Sequence, residues 1–342
     1  MSGSLLDLAP VHWPAFMQAR GGQAFHGRSA ARWVFQSRAE SWQDMTDLPL
    51  ELRRKLQAEG ALFSSEVVGV ARANDQASKL LLALEDGARV ESVSMPGTAG
   101  RTVCLSTQVG CPVRCPFCAS GLEGLERNLR AGEILEQALR LRLLFGDFQR
   151  LVVMGMGDAG FNLEATLEAL ETLLDPAGMR FSARRVTLST VGPKGALPRL
   201  AEWGRPISLA LSVHAAEDEL RRQLIPGVRK RTLAETLAEA DEVFAATKRE
   251  YTVEYVLLAG VNDHPDQARA LAKALIGRRC HVNLIPYNSV PGLPFRRPDL
   301  GAQEKFAAIL QTHNLAVTLR RSLGGEVDAA CGQLRRRLSQ PH

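Results

Sequence analysis

The sequence has no long apolar run. No stretch approaches the ~18 consecutive apolar residues that a membrane-spanning helix needs, so no transmembrane segment is expected. The opening residues, MSGSLLDLAPVHWPAF, hold no basic segment followed by an apolar core, which argues against a secretory leader there. Internal repeats and low-complexity tracts are missing too, which leaves no basis for a solenoid or a fibrous array. Cysteine is scarce. Six in 342 residues, three of them clustered, do not make a disulfide scaffold in a chain this long. A reducing, cytoplasmic location is therefore expected.

What is present fits one large domain, or a large one with a small companion. Hydrophobic residues at 45% and charged residues at 23% are ordinary for a soluble globular enzyme. The unusual stretch is Gly110-Cys111-Pro112-Val113-Arg114-Cys115-Pro116-Phe117-Cys118-Ala119-Ser120-Gly121. Its cysteines stand at C-x3-C-x2-C spacing in a short loop rich in Pro and Gly. The residues before it, RTVCLSTQV from Arg101 to Val109, read as a strand by their β-branched content. Clustered thiolates suit a soft metal centre: zinc, copper(I) or an iron–sulfur cluster. Structural zinc and most iron–sulfur clusters take four protein ligands. No fourth cysteine follows nearby, and Cys104 lies upstream inside the predicted strand. A cubane held by three cysteines would leave one iron open to a substrate or cofactor. The competing reading is a three-cysteine zinc site completed by a histidine, with His26 and His214 as the local candidates.

Residues 1 to about 60 read as helical, with one helix around Phe25 to Phe35 and a second from near Thr46-Asp47 to Leu56. Short strands follow at Val67–Val70, Leu80–Leu84 and Val90–Ser94, with Glu85-Asp86-Gly87 as a hairpin turn. This predicts an accessory domain over 1–95. From Thr102 strands and helices alternate. Strands are expected at 102–108, 150–154, 185–189, 207–213, 251–258 and 280–285, and a further one at 315–320. The alternation predicts parallel strands with right-handed crossovers, an α/β fold of the partial (β/α)6 barrel type over 96–342. In such a fold the working face lies where strands end and helices begin. The residues there are the cysteine loop, Gly155 to Asp158, Ser189-Thr190, Ser212 to His214, Gly260 to Asp263 and Pro286 to Asn288. Small and polar groups therefore ring one mouth.

The net charge is +5. Arginines crowd the N-terminal segment (Arg20, Arg28, Arg32, Arg38, Arg53, Arg54), with further basic groups at 221–231 and 320–337. Such clusters match phosphate geometry and suggest a nucleic-acid partner, against the plainer reading of solvated faces.

C-x3-C-x2-C with an aromatic, Phe117, just before the last cysteine resembles the cluster signature of the radical S-adenosylmethionine enzymes. Further motifs narrow the resemblance. Val103-Cys104, Gln108 to Cys111, Asn128-Leu129, Ser189-Thr190, His214-Ala215, Glu254 to Val256, Asn283 to Asn288 (NLIPYN) and Asp328 to Leu334 (DAACGQL) look like the RNA adenine methyltransferases of the RlmN/Cfr family. The resemblance runs from about Phe25 to Leu334, and the last two segments are its most specific parts. It implies a 4Fe-4S cluster on Cys111, Cys115 and Cys118, with S-adenosylmethionine contacted by Gly157, Asp158, Ser189, Ser212, Val213, His214 and Asn288. It implies that one cofactor molecule methylates Cys331 and that a second yields the radical that activates this methyl group. Carbon 2 or carbon 8 of adenine is not nucleophilic, which is why a radical route is needed. In the implied scheme the methyl carbon adds to the ring, Cys104 forms a disulfide with Cys331 to free the product, and Glu91 is the proton acceptor. Implied partners are ribosomal RNA, tRNA as a second substrate, and a reductant such as flavodoxin or ferredoxin, acting on a monomer. One departure stands out. The family carries Gly-Glu-Pro after the second barrel strand, and here the chain reads Gly157-Asp158-Ala159. Two other readings remain at this stage: a divergent radical enzyme acting on a different RNA site, and a non-catalytic RNA-binding protein with zinc.

Overall fold

The computed structural model describes residues 5–320, 330 and 332–334. Helices α1 (Trp13–Gln18) and α2 (Ala24–Phe35) pack first. They bury Trp13, Met17, Val34 and Phe35, and the Trp13 and Phe35 rings lie 5.4 Å apart. α3 (Leu50–Glu59) adds Leu52 and Leu56 to that core. It begins later than the Thr46-Asp47 pair predicts. The Asp47 carboxylate accepts instead from Trp33 Nε1 at 2.5 Å and Arg32 Nη2 at 2.8 Å, which ties its loop to α2.

Strands β1 (Glu66–Arg72), β2 (Ser78–Ala83) and β3 (Arg89–Met95) form an antiparallel meander. The expected turn joins β2 to β3, with Gly87 N donating to Leu84 O at 2.9 Å. β4 (Thr102–Cys104) then pairs antiparallel with β3, placing Val93 opposite Cys104. The strand expected over 102–108 is broken here. At Ser106 the backbone N–H turns to the Gln137 side chain at 2.8 Å rather than to a neighbouring strand. The chain resumes as β5 (Gln108–Gly110), which pairs with β6 (Leu125–Asn128) in a separate two-stranded sheet.

α4 (Ala131–Phe145) follows. Glu133 in its first turn accepts from Arg130 N at 2.8 Å, a cap worth about 1 kcal/mol. Ile134, Leu135, Ala138, Leu139 and Leu141 are buried. The remaining order is β7 (Arg150–Val153), α5 (Leu163–Leu174), β8 (Val186–Thr190), α6 (Ala196–Trp203), β9 (Ser208–Ser212), α7 (Asp218–Leu224), α8 (Leu233–Thr247), β10 (Tyr251–Leu257), α9 (Pro265–Leu275), β11 (Cys280–Pro286), α10 (Leu300–Thr312) and β12 (Ala316–Leu319). From β4 through β7 to β12 the neighbours are parallel, as the alternation predicts. Helix α7 and strand β6 were not expected from the sequence.

One ten-stranded sheet runs from β1 to β12, so its hydrogen bonding continues across residue 95. Val93 of β3 and Arg320, just after β12, line the same cavity, so the sheet curls around it. The N-terminal helices are clamped to α4. Glu136 is fully buried and accepts from Ser64 N and Oγ at 2.8 Å each and from Ser65 N and Oγ at 2.8 and 2.5 Å. Asp7 accepts from Gly132 N at 3.0 Å and Arg130 Nη1 at 2.8 Å at the helix start.

Candidate active site

The cysteine loop is pinned on several sides. It leaves β5 at Gly110, where φ is +80° and the Gly124 carbonyl leaves no room for a Cβ, so only glycine fits. Cys111 N donates to Gly124 O at 2.9 Å and Cys118 N to Cys115 O at 3.1 Å. From outside the loop, Gly227 N donates to Val113 O at 3.0 Å. From its inner side, Ala119 N donates to Gly332 O at 2.8 Å and Ser120 Oγ to Leu334 O at 3.0 Å. Gly332 and Leu334 are thus laid against the loop.

Cys111, Cys115 and Cys118 all face a cavity of about 380 Å³, within the usual size range of ligand pockets. Burial, then the Asp158 carboxylate, pushes the Cys111 thiol up to about 12. Burial and the other two thiolates push Cys115 well above the ordinary range. Three thiolates are therefore unfavourable here without positive charge among them, which a metal centre supplies. Among the described residues no group of three or more His, Cys, Asp or Glu closes on one point as a single ion requires. The thiols instead border a shared volume, which suits a multi-atom centre. Of the histidines considered for zinc, His26 does not line this cavity, whereas His214 does, with its Nδ1 engaged. His26 Nδ1 accepts from Gln23 N at 2.9 Å, and His214 Nδ1 accepts from Val256 N at 3.1 Å.

The strand ends opposite the loop supply the rest of the wall. Gly157, with φ of +93°, passes so close to Gln108 that a Cβ would lie 2.6 Å from that side chain. Gln108 Oε1 accepts from Asp158 N at 2.8 Å. The Asp158 carboxylate accepts from Thr190 Oγ1 at 2.7 Å, Gly160 N at 2.9 Å and Val191 N at 2.7 Å. Burial nevertheless pushes it up to about 6, against the pull of these donors. His214 adopts φ of +57° and packs edge-on to Phe117 with centroids 5.3 Å apart. Asn262, fully buried, holds that turn by donating to His214 O at 2.8 Å and Val256 O at 2.7 Å. Burial, then the charge of Arg221, lowers His214 to about 3, so the ring is neutral.

Cys104, Ser189, Ser212 and Asn288 also line the cavity. Val213 does not; it is fully buried behind the wall. Glu91 does not line it either. It is buried in an ion pair with Lys79 at 3.0 Å, and Ser106 Oγ donates to its carbonyl at 2.5 Å. Cys331 lies outside the described residues, but its neighbours Ala330 and Gly332 line the cavity. Two wall residues, Glu254 and Arg320, and Thr190 as the partner of Asp158 behind the wall had no site role assigned from the sequence. Glu254 accepts from Asn283 Nδ2 at 2.8 Å, and burial raises its carboxyl against the pull of Arg320 and Asn283. Its available signal was a lone carboxylate inside the apolar strand β10.

A curled parallel sheet with three thiols in the loop of the adjoining β5–β6 hairpin fits a radical S-adenosylmethionine enzyme, and residues 105–272 match the radical SAM superfamily. Residues 4–61 match the ribosomal RNA large subunit methyltransferase N-terminal domain. A protein of Rhodopirellula baltica named probable dual-specificity RNA methyltransferase RlmN is 44% identical, over 94% of this chain and 87% of its own. One of the same name from Thermus thermophilus is 41% identical over 98% of this chain and 94% of its own. The crystal structure of a radical SAM methyltransferase from Sphaerobacter thermophilus superposes with a TM-score of 0.93 at 38% identity, covering 98% of this chain and 99% of that one. This chain belongs to the RlmN family of radical SAM RNA methyltransferases.

Proposed function

We propose that this protein methylates adenine at carbon 2 or carbon 8 in ribosomal RNA, with transfer RNA as a second substrate, and that the methyl carbon travels on Cys331. In this reading Cys111, Cys115 and Cys118 hold a 4Fe-4S cluster. Gly157, Asp158, Ser189, Ser212, His214 and Asn288 position S-adenosylmethionine, with Val213 shaping the wall from behind. Bound there, cluster and cofactor supply hydrogen-atom abstraction. The chain's own groups do the rest. Cys331 carries the one-carbon unit, and Cys104 releases the product by forming a disulfide with it. Glu91, one strand away from Cys104 and fixed by Lys79, accepts the ring proton. The buried walls keep water from a reactive carbon centre. The observation that carries this reading is that Ala330 and Gly332, either side of Cys331, border the same cavity as Cys104 and the three loop thiols.

The functional division we favour puts RNA binding on 1–95 and chemistry on 96–342. No helix among the described residues is long and apolar enough to cross a membrane. We further propose a cytoplasmic monomer reduced by a flavodoxin or ferredoxin. The test is nucleoside mass spectrometry of ribosomal and transfer RNA from cells with and without the protein. It should reveal a methyladenosine that disappears on deletion and stays absent with Cys331→Ala. A Cys331→Ala enzyme that still methylates RNA would sink the thioether route. Cys104→Ala is expected to accumulate a covalent protein–RNA species, seen as a band shift removed by ribonuclease. The Asp158-Ala159 pair where the family has Glu-Pro favours a second reading, a shifted RNA position. The same mass spectra, mapped by fragment, would reveal it.

A further inference from the structure

Helix α7 carries a buried cation for which the chemistry above has no task. Arg221 is 2% exposed. Its Nη2 donates to Val191 O at 3.1 Å, and its Nε, shut off from solvent, meets no acceptor. Neighbouring arginines are better provided for: Arg222 pairs with Glu219 at 2.9 Å and Arg231 with Glu239 at 2.6 Å. Among the described residues Arg221 forms no such pair. Asp218, the carboxylate that acts on it electrostatically, already accepts from Leu233 N at 2.8 Å. A guanidinium removed from water is costly unless a counter-charge faces it.

The other group acting on Arg221 as an anion is Cys115. The segment after α7 closes on the cysteine loop through Gly227 and Val113, and Leu224, Ile225 and Val228 share one apolar cluster with Cys111 and Phe117. Arg221 does not line the cavity, so it stands behind the loop, out of reach of a substrate. A buried guanidinium whose Nε meets no acceptor thus stands behind the cysteine loop, and thiolates bound to a cluster would place a counter-charge in front of it.

We propose that Arg221 is the fixed counter-charge of the thiolate-bound cluster, stabilising the added electron and raising the reduction potential. This rests on the cluster reading above. No bond changes; the reductant's electron enters a centre with a positive charge held behind it, and a positive charge favours the reduced state. Arg221 is a positioning residue, and its readout is a potential.

The experiment uses the full chain, anaerobically reconstituted with iron and sulfide, as wild type, Arg221→Lys and Arg221→Met. The midpoint potential is taken from a redox titration followed by electron paramagnetic resonance. Lysine keeps the charge, so its reduced-to-oxidised ratio should stay within about threefold of wild type. Methionine should lower that ratio about tenfold at a fixed potential, a shift of about 59 mV for a one-electron couple. Equal potentials in all three chains would overturn the proposal. So would an unchanged potential in Arg221→Met with weakened S-adenosylmethionine binding, which would make the residue a cofactor determinant. If Arg221→Met folds but takes up no iron while Arg221→Lys loads fully, the Arg221→Lys potential decides: a ratio within about threefold of wild type supports the proposal, and a shift of about tenfold overturns it. If both variants lose iron alike, side-chain shape governs and it falls. A wild-type chain that takes up no iron and sulfide would defeat the cluster reading itself, independently of any variant.

Discussion

Asp158 and His214 face one cavity and respond to burial in opposite senses. The Asp158 carboxyl is raised to about 6, so its contribution to stability is full below about pH 4 and is lost as pH rises through 6. His214 is lowered to about 3, so its contribution is full above pH 6.5 and is lost as pH falls toward 3. The two slopes oppose each other between pH 4 and 6, and only single variants separate them. The stability of wild type relative to Asp158→Asn should fall across that window, by at most about 3 kcal/mol. Relative to His214→Gln it should rise. Thermal melts of the metal-free protein from pH 4 to 7 check both signs, and a flat difference for either would contradict its assignment. Thr190→Val removes one donor from Asp158 and leaves a buried acceptor less satisfied, so S-adenosylmethionine binding should weaken about five-fold, at a cost of about 1 kcal/mol. Calorimetric titration would measure it. At this scale side-chain identity was legible. The cysteine spacing and Asp158 could be read from the sequence, because chemistry is written in residue type. Thr190 as the partner of Asp158 could not, because the two sit on the ends of different strands.

At the scale of elements, α4 is the piece that joins the two halves of the architecture. Its buried residues Ile134, Leu135, Ala138, Leu139 and Leu141 recur at helical spacing, a pattern that local sequence carries. The buried Glu136 was not readable as a clamp, since its four donors lie far up the chain at Ser64 and Ser65. Glu136→Ala should leave buried backbone donors unpaired and cost about 2–4 kcal/mol in urea unfolding. Limited proteolysis near residues 61–66 should speed up with it. The broken strand after Cys104 has a similar cause. RTVCLSTQV has strand composition throughout, but the Ser106 N–H is taken by Gln137, so the ladder stops and the chain can turn toward the cysteine loop. Gly110→Ala should disturb the β5–β6 hairpin at the root of that loop, and iron content after reconstitution should drop while the helical content by circular dichroism stays near wild type.

For the whole molecule, charge reads differently in sequence and in space. Several N-terminal arginines are matched by carboxylates: Arg20 with Glu59 at 2.5 Å, Arg32 with Asp47 at 2.8 Å and Arg38 with Asp147 at 2.7 Å. Arg221, counted with a basic group, is buried. Arg28 and Lys55 of the N-terminal module are exposed. Charge reversal at both should weaken RNA binding about tenfold or more at low salt, with a smaller effect at high salt. Cofactor cleavage without RNA should be unchanged, and filter binding across a salt series would test this. The sequence alone determined the thiol spacing, the alternation of parallel strands with helices, and the kind of chemistry the loop supports. These depend on residue identity and on periodicities that a few neighbouring positions carry. Only the tertiary structure decided that the accessory strands extend the barrel sheet, that residues flanking Cys331 reach the cysteine loop, and that a buried arginine backs the thiols. Those outcomes come from contacts between segments distant in the chain, and packing of that kind leaves no pattern in local sequence.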